Sequence, residues 1–424
     1  MAKKQIEWDN QLYQLTTLVA GRFSLQEALD KLAEAAVRIV AVKACSIRLL
    51  DDQADDLKMR STYGLSEEYR NKGVVSKNDP VIKAAFAGEA VVLDDMRVDG
   101  RVEYPEATRR EGLVSQLTVA MKFRDKPIGV LRLYSPESRR FSQDDINLAR
   151  SVASQCAVAI TNARLYAEAI EGARIAEQVR LAGVIQRRMI PEKAPEMSTL
   201  DIAAKYIPCF DVGGDFYDFI KLDKNRIIVS IADVIGKGIP AAIMMSSFRG
   251  AIRAYADSEK HNADIKSIIN KLNKTACSQC RNGEFITLFY AVIDINDMTI
   301  TYCNCGHEPT VLLRKGQISD LQKGGLVLGV MPEAEYEVEK IKLNHNDTLL
   351  FYTDGLIDAV NFDGELWGDE RMVEAAKKYA DMSADLMLKN ILQHRRRFVG
   401  LSRQIDDTSM IIVKTGKTEK LRET

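Results

Sequence analysis

The sequence predicts an α+β, multidomain chain, and three observations carry that reading. Its 424 residues exceed what one hydrophobic core usually serves, which suggests two or three domains. Apolar residues make up 46% of it, ample for packed cores. Helix-period and strand-period segments alternate through the first 160 residues and recur after residue 200.

Residues 1–23 are expected to form a separate N-terminal helix. Ser24 and Glu27 stand at capping-box spacing before a helix whose apolar face is Leu25, Leu29, Leu32, Ala36, Ile39 and Val40. Strands are expected at 45–50, 59–63, 90–93, 117–123 and 128–134. The last two flank Arg124-Asp125-Lys126-Pro127 and predict a hairpin. Ser142, with Asp145 three residues on, caps a second long helix through Ile160. With CSIRLLDD, PVIKAAFAGEAVVLDD and IGVLRLYSPESRRFSQDDINLARSVASQCAVAI, residues 24–163 resemble a GAF domain, an α/β sandwich. The resemblance implies a sensory module that binds an unidentified small ligand or partner, or one that dimerises without a ligand. Cys45 and Cys156 have no basic or metal-ligating neighbours in sequence, so packing is their expected role.

Residues 164–192 read as a helical, coiled-coil-like linker, free of proline until Pro191. Leu165, Ala169, Gly172, Ala176 and Val179 recur at 4-3-4-3 spacing, the seam of a short two-helix coil in a parallel homodimer. Leu181, Ile185 and Met189 form a second stripe that leads into the next domain. A surface helix packed on its own domain is the alternative.

Residues 193–416 hold the candidate chemistry, and residues 417–424 are a tail. Asp215 follows a Gly-Gly pair, and Asp233 ends the apolar run 227–232 before a Gly-rich turn. Asp354 ends the run 348–353, and Asp406-Asp407 precede the strand-like 409–413. Aspartates at strand ends beside flexible backbone suit a hard divalent cation, which prefers carboxylate, carbonyl and water oxygens. Taken singly, each is as well explained as a turn or cap residue. Pro240 marks the first turn of a helix expected at 241–255, and a strand pair is expected at 285–293 and 299–305.

GGDFYD, ADVIGKGIPAAIMMS, FITLFYAVID, NCGHEPTVLL, GLVLGV, LFYTDGLIDAV, GELWGDERM and DDTSMIIVK follow one another as in PPM-type (protein phosphatase 2C-like) phosphatases of the bacterial SpoIIE/RsbU branch, which this region resembles. The resemblance implies an αββα sandwich and a phosphoserine/phosphothreonine protein phosphatase dependent on two Mn²⁺ or Mg²⁺ ions. It implies Asp215, Asp233, Asp354 and Asp406 as catalytic metal ligands, with the Val234 carbonyl, and Asp407 behind them. Its implied substrate is a phosphorylated STAS-domain, anti-anti-sigma-like protein of partner switching. Eukaryotic relatives carry a histidine two residues after the equivalent of Asp233, whereas Ile235 stands here, so the general acid is unassigned. A catalytically inactive sensory adaptor acting by protein binding is the alternative. A nucleotide cyclase or phosphodiesterase would need a histidine-rich metal motif, which His261, His307, His345 and His394 do not supply.

Cys277-x-x-Cys280 with Cys303-x-Cys305 matches half of a zinc spacing, and small buried side chains explain the four equally well. Seven cysteines do not make a disulfide framework. Gly416-Lys417-Thr418 lacks the rest of a phosphate loop. Lys+Arg 59 against Asp+Glu 60, net charge −1, favours neither nucleic acid nor a membrane surface as a partner. With no signal-like N-terminus and no long apolar run, a cytoplasmic location is expected.

Overall fold

The structure, a computed structural model, describes residues 24–51, 56–259, 264–281 and 283–416. The expected helix at 1–23, His261 and the tail at 417–424 lie outside the described residues. The chain divides between Ala173 and Arg174 into two compact units.

In the first unit, α1 (Leu25–Val40) starts at the expected capping box: Glu27 N donates to Ser24 Oγ at 3.3 Å, and Ser24 N donates to the Glu27 carboxylate at 2.9 Å. It stops where Ala41 turns left-handed at φ 51°. Six strands follow: β1 (Ala44–Leu50), β2 (Asp56–Tyr63), β3 (Val75–Ser76), β4 (Val91–Leu93), β5 (Ser115–Phe123) and β6 (Lys126–Ser135), in sheet order β3-β2-β1-β6-β5-β4. Helix α2 (Pro80–Phe86) lies between β3 and β4 in sequence. The hairpin loop is shorter than expected. Phe123 pairs with Lys126, and Arg124 and Asp125 both take positive φ, which is the two-residue turn whose twist matches that of the strands. Lys126 and Pro127 therefore belong to β6, with Pro127 at a register shift opposite Lys122, where a missing N–H is tolerated.

Alternation divides the sheet's side chains between its two faces. Cys45, Ile47, Leu49, Leu117, Val119, Leu131 and Leu133 form one core with α1 and the start of α3 (Gln143–Met189). Ser46, Arg48, Gln116, Thr118, Arg132 and Tyr134 line the other face and are buried too. Helix α3 begins at the expected reciprocal cap, Ser142 N to Asp145 Oδ2 at 2.9 Å and Asp145 N to Ser142 Oγ at 3.2 Å.

The second unit is two antiparallel-rich sheets packed face to face between helix pairs. One sheet runs β14 (Gly324–Gly325), β11 (Thr299–Cys305), β10 (Ile286–Asp294), β9 (Arg226–Val234), β8 (Phe216–Lys221), with β15 (Glu339–Lys342) also on β11. The other runs β13 (Gln317–Leu321), β12 (Thr310–Arg314), β16 (Thr348–Tyr352), β17 (Thr408–Thr415), β7 (Leu200–Ile207). Helices α4 (Ile239–Ser258) and α5 (Ile265–Gln279) cover the first, and α6 (Gly368–Lys378) and α7 (Ala384–Val399) the second. Period-two alternation is visible in β16. Leu349 and Phe351 enter the inter-sheet core, where Phe351 meets Phe289 edge-to-face at 5.5 Å, while Leu350 and Tyr352 pack under α6 and α7. This is the αββα sandwich.

Candidate functional site

The four aspartates gather where the two sheets meet. Asp233 is the last residue but one of β9, paired with Thr287 of β10. Asp215 immediately precedes β8, Asp354 opens a 3₁₀ turn directly after β16, and Asp406 stands two residues before β17. Thr353, which sequence reading passed over, ties the sheets together. Its hydroxyl donates to Asp215 Oδ2 at 2.6 Å and accepts the Ser409 N–H at 2.9 Å.

The electrostatics favour a cation. Asp215 is 1% exposed, and its carboxylate accepts the Thr353 hydroxyl. Burial, then the Asp233 charge, pushes the Asp215 carboxyl far above the usual carboxylate range. Burial and the neighbouring Asp354 push Asp233 up, and burial and Asp406 push Asp354 up. Two ionised carboxylates about 4 Å apart repel by about 4 kcal/mol at an effective dielectric of 20. One hydrogen bond, worth about 1 kcal/mol net, does not offset that. The cluster requires shared protons or a bound cation.

The backbone comes close to the cluster. A Cβ at Gly214 would lie 2.6 Å from the Val234 carbonyl oxygen and 3.4 Å from Asp233 Oδ1, and one at Gly213 would lie 1.9 Å from Asp407 Oδ2. Neither glycine has positive φ, so close approach rather than backbone conformation demands them. Asp407 braces the loop before Asp215. It accepts from Cys209 N at 2.7 Å and Gly214 N at 2.9 Å, and so fixes the loop that carries Asp215.

Among the described residues, no group of three or more acidic, histidine or cysteine side chains is placed so as to hold a metal ion. Mg²⁺ and Mn²⁺ do not need one, because such ions keep several waters and take one or two carboxylates each. Asp215, Asp233, Asp354, Asp406 and the Val234 carbonyl fit that chemistry. Lys237 already supplies one cation, with its ammonium 2.7 Å from Asp406 Oδ2 and 2.5 Å from the Ile405 carbonyl. Gly236 and Gly238, at φ 96° and 73°, turn the loop that presents it. The G-K-G triplet was the available signal. Asp218 of GGDFYD belongs elsewhere, bound by Arg253 at 2.6 Å and Arg249 at 3.0 Å, so that it holds α4 onto β8.

The end of α3 holds the site loop, by residues other than the stripe read from sequence. Leu181 and Ile185 are exposed. The opposite face makes the contact: Gln186, 4% exposed, donates from Nε2 to the Gly213 carbonyl at 2.7 Å and accepts the Gly213 N–H at 3.0 Å. Arg187 donates to the Asp211 carbonyl at 3.1 Å, and a Cβ at Gly183 would lie 2.0 Å from that same oxygen. A flat backbone loop offers amides rather than an apolar groove, so a polar side chain and a glycine suit it better than Leu and Ile.

His307 is buried, its Nδ1 2.8 Å from the Thr287 hydroxyl, and burial lowers its pKa to about 4. It is a neutral core residue beside the site. Cys303 and Cys305 share a face of β11, their sulfurs 3.9 Å apart and buried. They do not form a metal-binding group with Cys277 and Cys280. A cleft of about 600 Å³ reaches Asp406, lined by Ile207, Leu392, Arg396, Leu401, Arg403 and Ile405 among others.

Comparison with known proteins places both units. The family model for stage II sporulation protein E matches residues 223–416, and that for the GAF domain residues 24–161. The chain is 31% identical over 219 residues to the phosphoserine phosphatase RsbU of Bacillus subtilis, covering 51% of this chain and 64% of that protein. It is 30% identical over 255 residues to the protein IcfG of Synechocystis, covering 54% and 40%. The chain thus spans less than two thirds of the length of either relative. The SiaA-PP2C domain of Pseudomonas aeruginosa superposes with a TM-score of 0.52 at 18% identity, over 57% of this chain and 98% of that one, which supports the fold. No helix among the described residues is long and apolar enough to cross a membrane. The chain carries a GAF domain at residues 24–161, followed by a SpoIIE-type domain of the PP2C-like phosphatase fold at residues 223–416.

Proposed function

We propose that this chain is a metal-dependent protein phosphatase acting on phosphoserine or phosphothreonine, regulated by its GAF domain and working in the cytoplasm. The observation that carries the reading is the cluster of buried Asp215 with half-buried Asp233, Asp354 and Asp406, in which the first three carboxyls are pushed up and shared protons or a cation must offset the charge. Mn²⁺ or Mg²⁺ bound there would activate water and neutralise phosphoryl oxygens for in-line displacement. Asp215 and Asp233, with the Val234 carbonyl, and Asp354 with Asp406 would hold the metal. Thr353 and Asp407 fix the carboxylate of Asp215 and the loop before it, and Lys237 offsets the charge of Asp406. The cleft beside Asp406, apolar with arginines at its wall, suits a protein segment better than a small metabolite. Phosphopeptide hydrolysis by the purified chain with Mn²⁺, Mg²⁺ or chelator tests the reading. Turnover in excess chelator refutes the metal requirement, and a folded, metal-loaded chain with no turnover on any phosphoprotein marks an adaptor.

The substrate we assign is a phosphorylated anti-anti-sigma-like protein of the STAS class, on the similarity to RsbU. Phosphorylated STAS proteins of the same organism should lose phosphate on incubation with this chain. If they survive while other phosphoproteins are hydrolysed, the assignment fails.

Regulation would run through α3 in a parallel homodimer. Leu165, Ala169, Gly172 and Ala176 are exposed on the single chain, and small seam residues bury little area at about 25 cal/mol per Å². Such a coil is marginal and easily biased by a ligand. Replacing Ala169, Gly172 and Ala176 together with Leu should stabilise one coil state and shift basal activity severalfold, scored by phosphopeptide turnover beside sedimentation. A dimeric triple variant with the parent's activity and signal response would reduce the helix to a tether.

A further inference from the structure

The buried polar face of the GAF sheet has more cationic donors than partners. In the β1–β6 register Ser46 faces Arg132, so Arg48, two residues along, is its diagonal neighbour on the same face. Arg48 and Arg132 are 2% and 5% exposed. Arg48 donates through Nη1 to the Leu57 carbonyl at 3.3 Å, while its Nε and Nη2 have no partner. Arg132 Nε has none, and Nη2 stands 3.5 Å from Asp79 Oδ2, a long contact. The other oxygen of Asp79 caps α2 through Val81 N at 2.7 Å and Ile82 N at 3.3 Å. Tyr69 is 1% exposed, and its hydroxyl is unpartnered.

A third basic side chain closes the group. Lys72 is half-buried, its ammonium 3.5 Å from the centre of the Tyr69 ring and 5.8 Å from that of Tyr104. Burial, with Arg132 and Arg48 nearby, lowers its pKa to about 6. Lys72, Arg132, Tyr104, Gln116, Asp79 and Glu103 line a small cleft, with about 20 Å³ open to water-sized occupants. Arg101 also reaches it but is committed to Asp99 at 2.7 Å. Of the two anions at the wall, Asp79 is spent largely on its helix cap. Buried polar groups are nearly always satisfied, and guanidinium forks left open match a carboxylate or phosphate in geometry.

We propose that the GAF domain binds a small oxyanion, a phosphate or short carboxylate, held by Arg48, Arg132 and Lys72 with Tyr69 as a further donor. As it stands the cleft admits about one water-sized group, so a compact head group enters when Lys72 swings out. Inorganic phosphate and malonate are the two probes, and they distinguish a phosphate from a carboxylate ligand.

Isothermal titration of the full chain in chelator, where the aspartate cluster holds no cation to attract phosphate, reads binding directly. One probe should bind saturably, with a Kd of about 1 mM or tighter. Lys72→Met and Arg132→Gln should weaken it at least about tenfold, and Arg97→Gln, an exposed pair with Asp95, should not. Thermal unfolding is the second measurement. Stabilisation by a bound anion saturates and disappears in Lys72→Met, whereas stabilisation by an excluded salt grows steadily and is equal in both proteins. No saturable binding of either probe by the folded parent overturns the proposal, as does equal binding by the parent and a folded Lys72→Met. The open donors would then be satisfied by water.

Discussion

Asp233→Asn and Asp354→Asn are expected to lower phosphopeptide turnover at least about a hundredfold, since even groups behind the ligands of such sites alter affinity or activity by 10–100-fold. Metal-free, both variants should be as stable as the parent or more so. Each removes a like charge from a cluster, part buried and part half-buried, whose Asp233 and Asp354 carboxyls are pushed up by desolvation and by neighbouring carboxylates, and one pKa unit corresponds to about 1.4 kcal/mol. The pH dependence has a definite sign. Asp233 is raised from 3.8 to about 7, so the folded chain binds more protons than the unfolded one within that window. In chelator the parent should therefore become more stable as pH falls from about 7 toward about 4, and Asp233→Asn should gain less. Metal should reverse the ranking, raising the parent's Tm above that of the variants. Denaturation with and without Mn²⁺, beside turnover, measures all of this. A variant that keeps full turnover, or unfolds early in chelator, contradicts the cation-site reading.

Gln186→Leu should cut activity more than tenfold although Gln186 touches none of the four aspartates by hydrogen bond. Its amide satisfies both backbone groups of Gly213, and a leucine of similar size would leave a buried N–H and C=O open, at about 1–3 kcal/mol each. The loop must then move to recover partners, and Asp215 moves with it. Gln186→Glu is the informative control, because it still accepts the N–H but loses the donation to the carbonyl, and should fall between leucine and parent. The loss should appear in the concentration of Mn²⁺ needed for half-activation more than in unfolding temperature. A Gln186→Leu protein with unchanged metal requirement would show that α3 holds the loop without setting the site.

The elements legible in the sequence were those governed by local rules. Both long helices of the first unit start at their capping pairs because Ser24–Glu27 and Ser142–Asp145 satisfy each other's backbone donors within three residues. The strand pair expected at 285–293 and 299–305 is present as β10 and β11, buried along nearly its whole length rather than on alternate residues. The order of eight motifs indicated the phosphatase fold, and the four aspartates were visible as a shared context of strand end and flexible backbone.

What composition and spacing did not contain was the partner of each polar group. The stripe Leu181, Ile185 and Met189 drew attention because apolar periodicity is easy to see, yet Gly183, Gln186 and Arg187 make the contact, since the surface they meet is backbone. Thr353 and Lys237 became site residues when two sheets, joined by segments more than a hundred residues apart, met at their strand ends. The polar alternation of Ser46, Arg48, Gln116, Thr118, Arg132 and Tyr134 was present in the sequence. Burial of that face turned the same pattern into unsatisfied charge. The sequence by itself determined which segments form helices and strands, because capping and alternation act within a few residues. Tertiary structure alone decided which charges are left without water, because desolvation depends on what packs above a side chain.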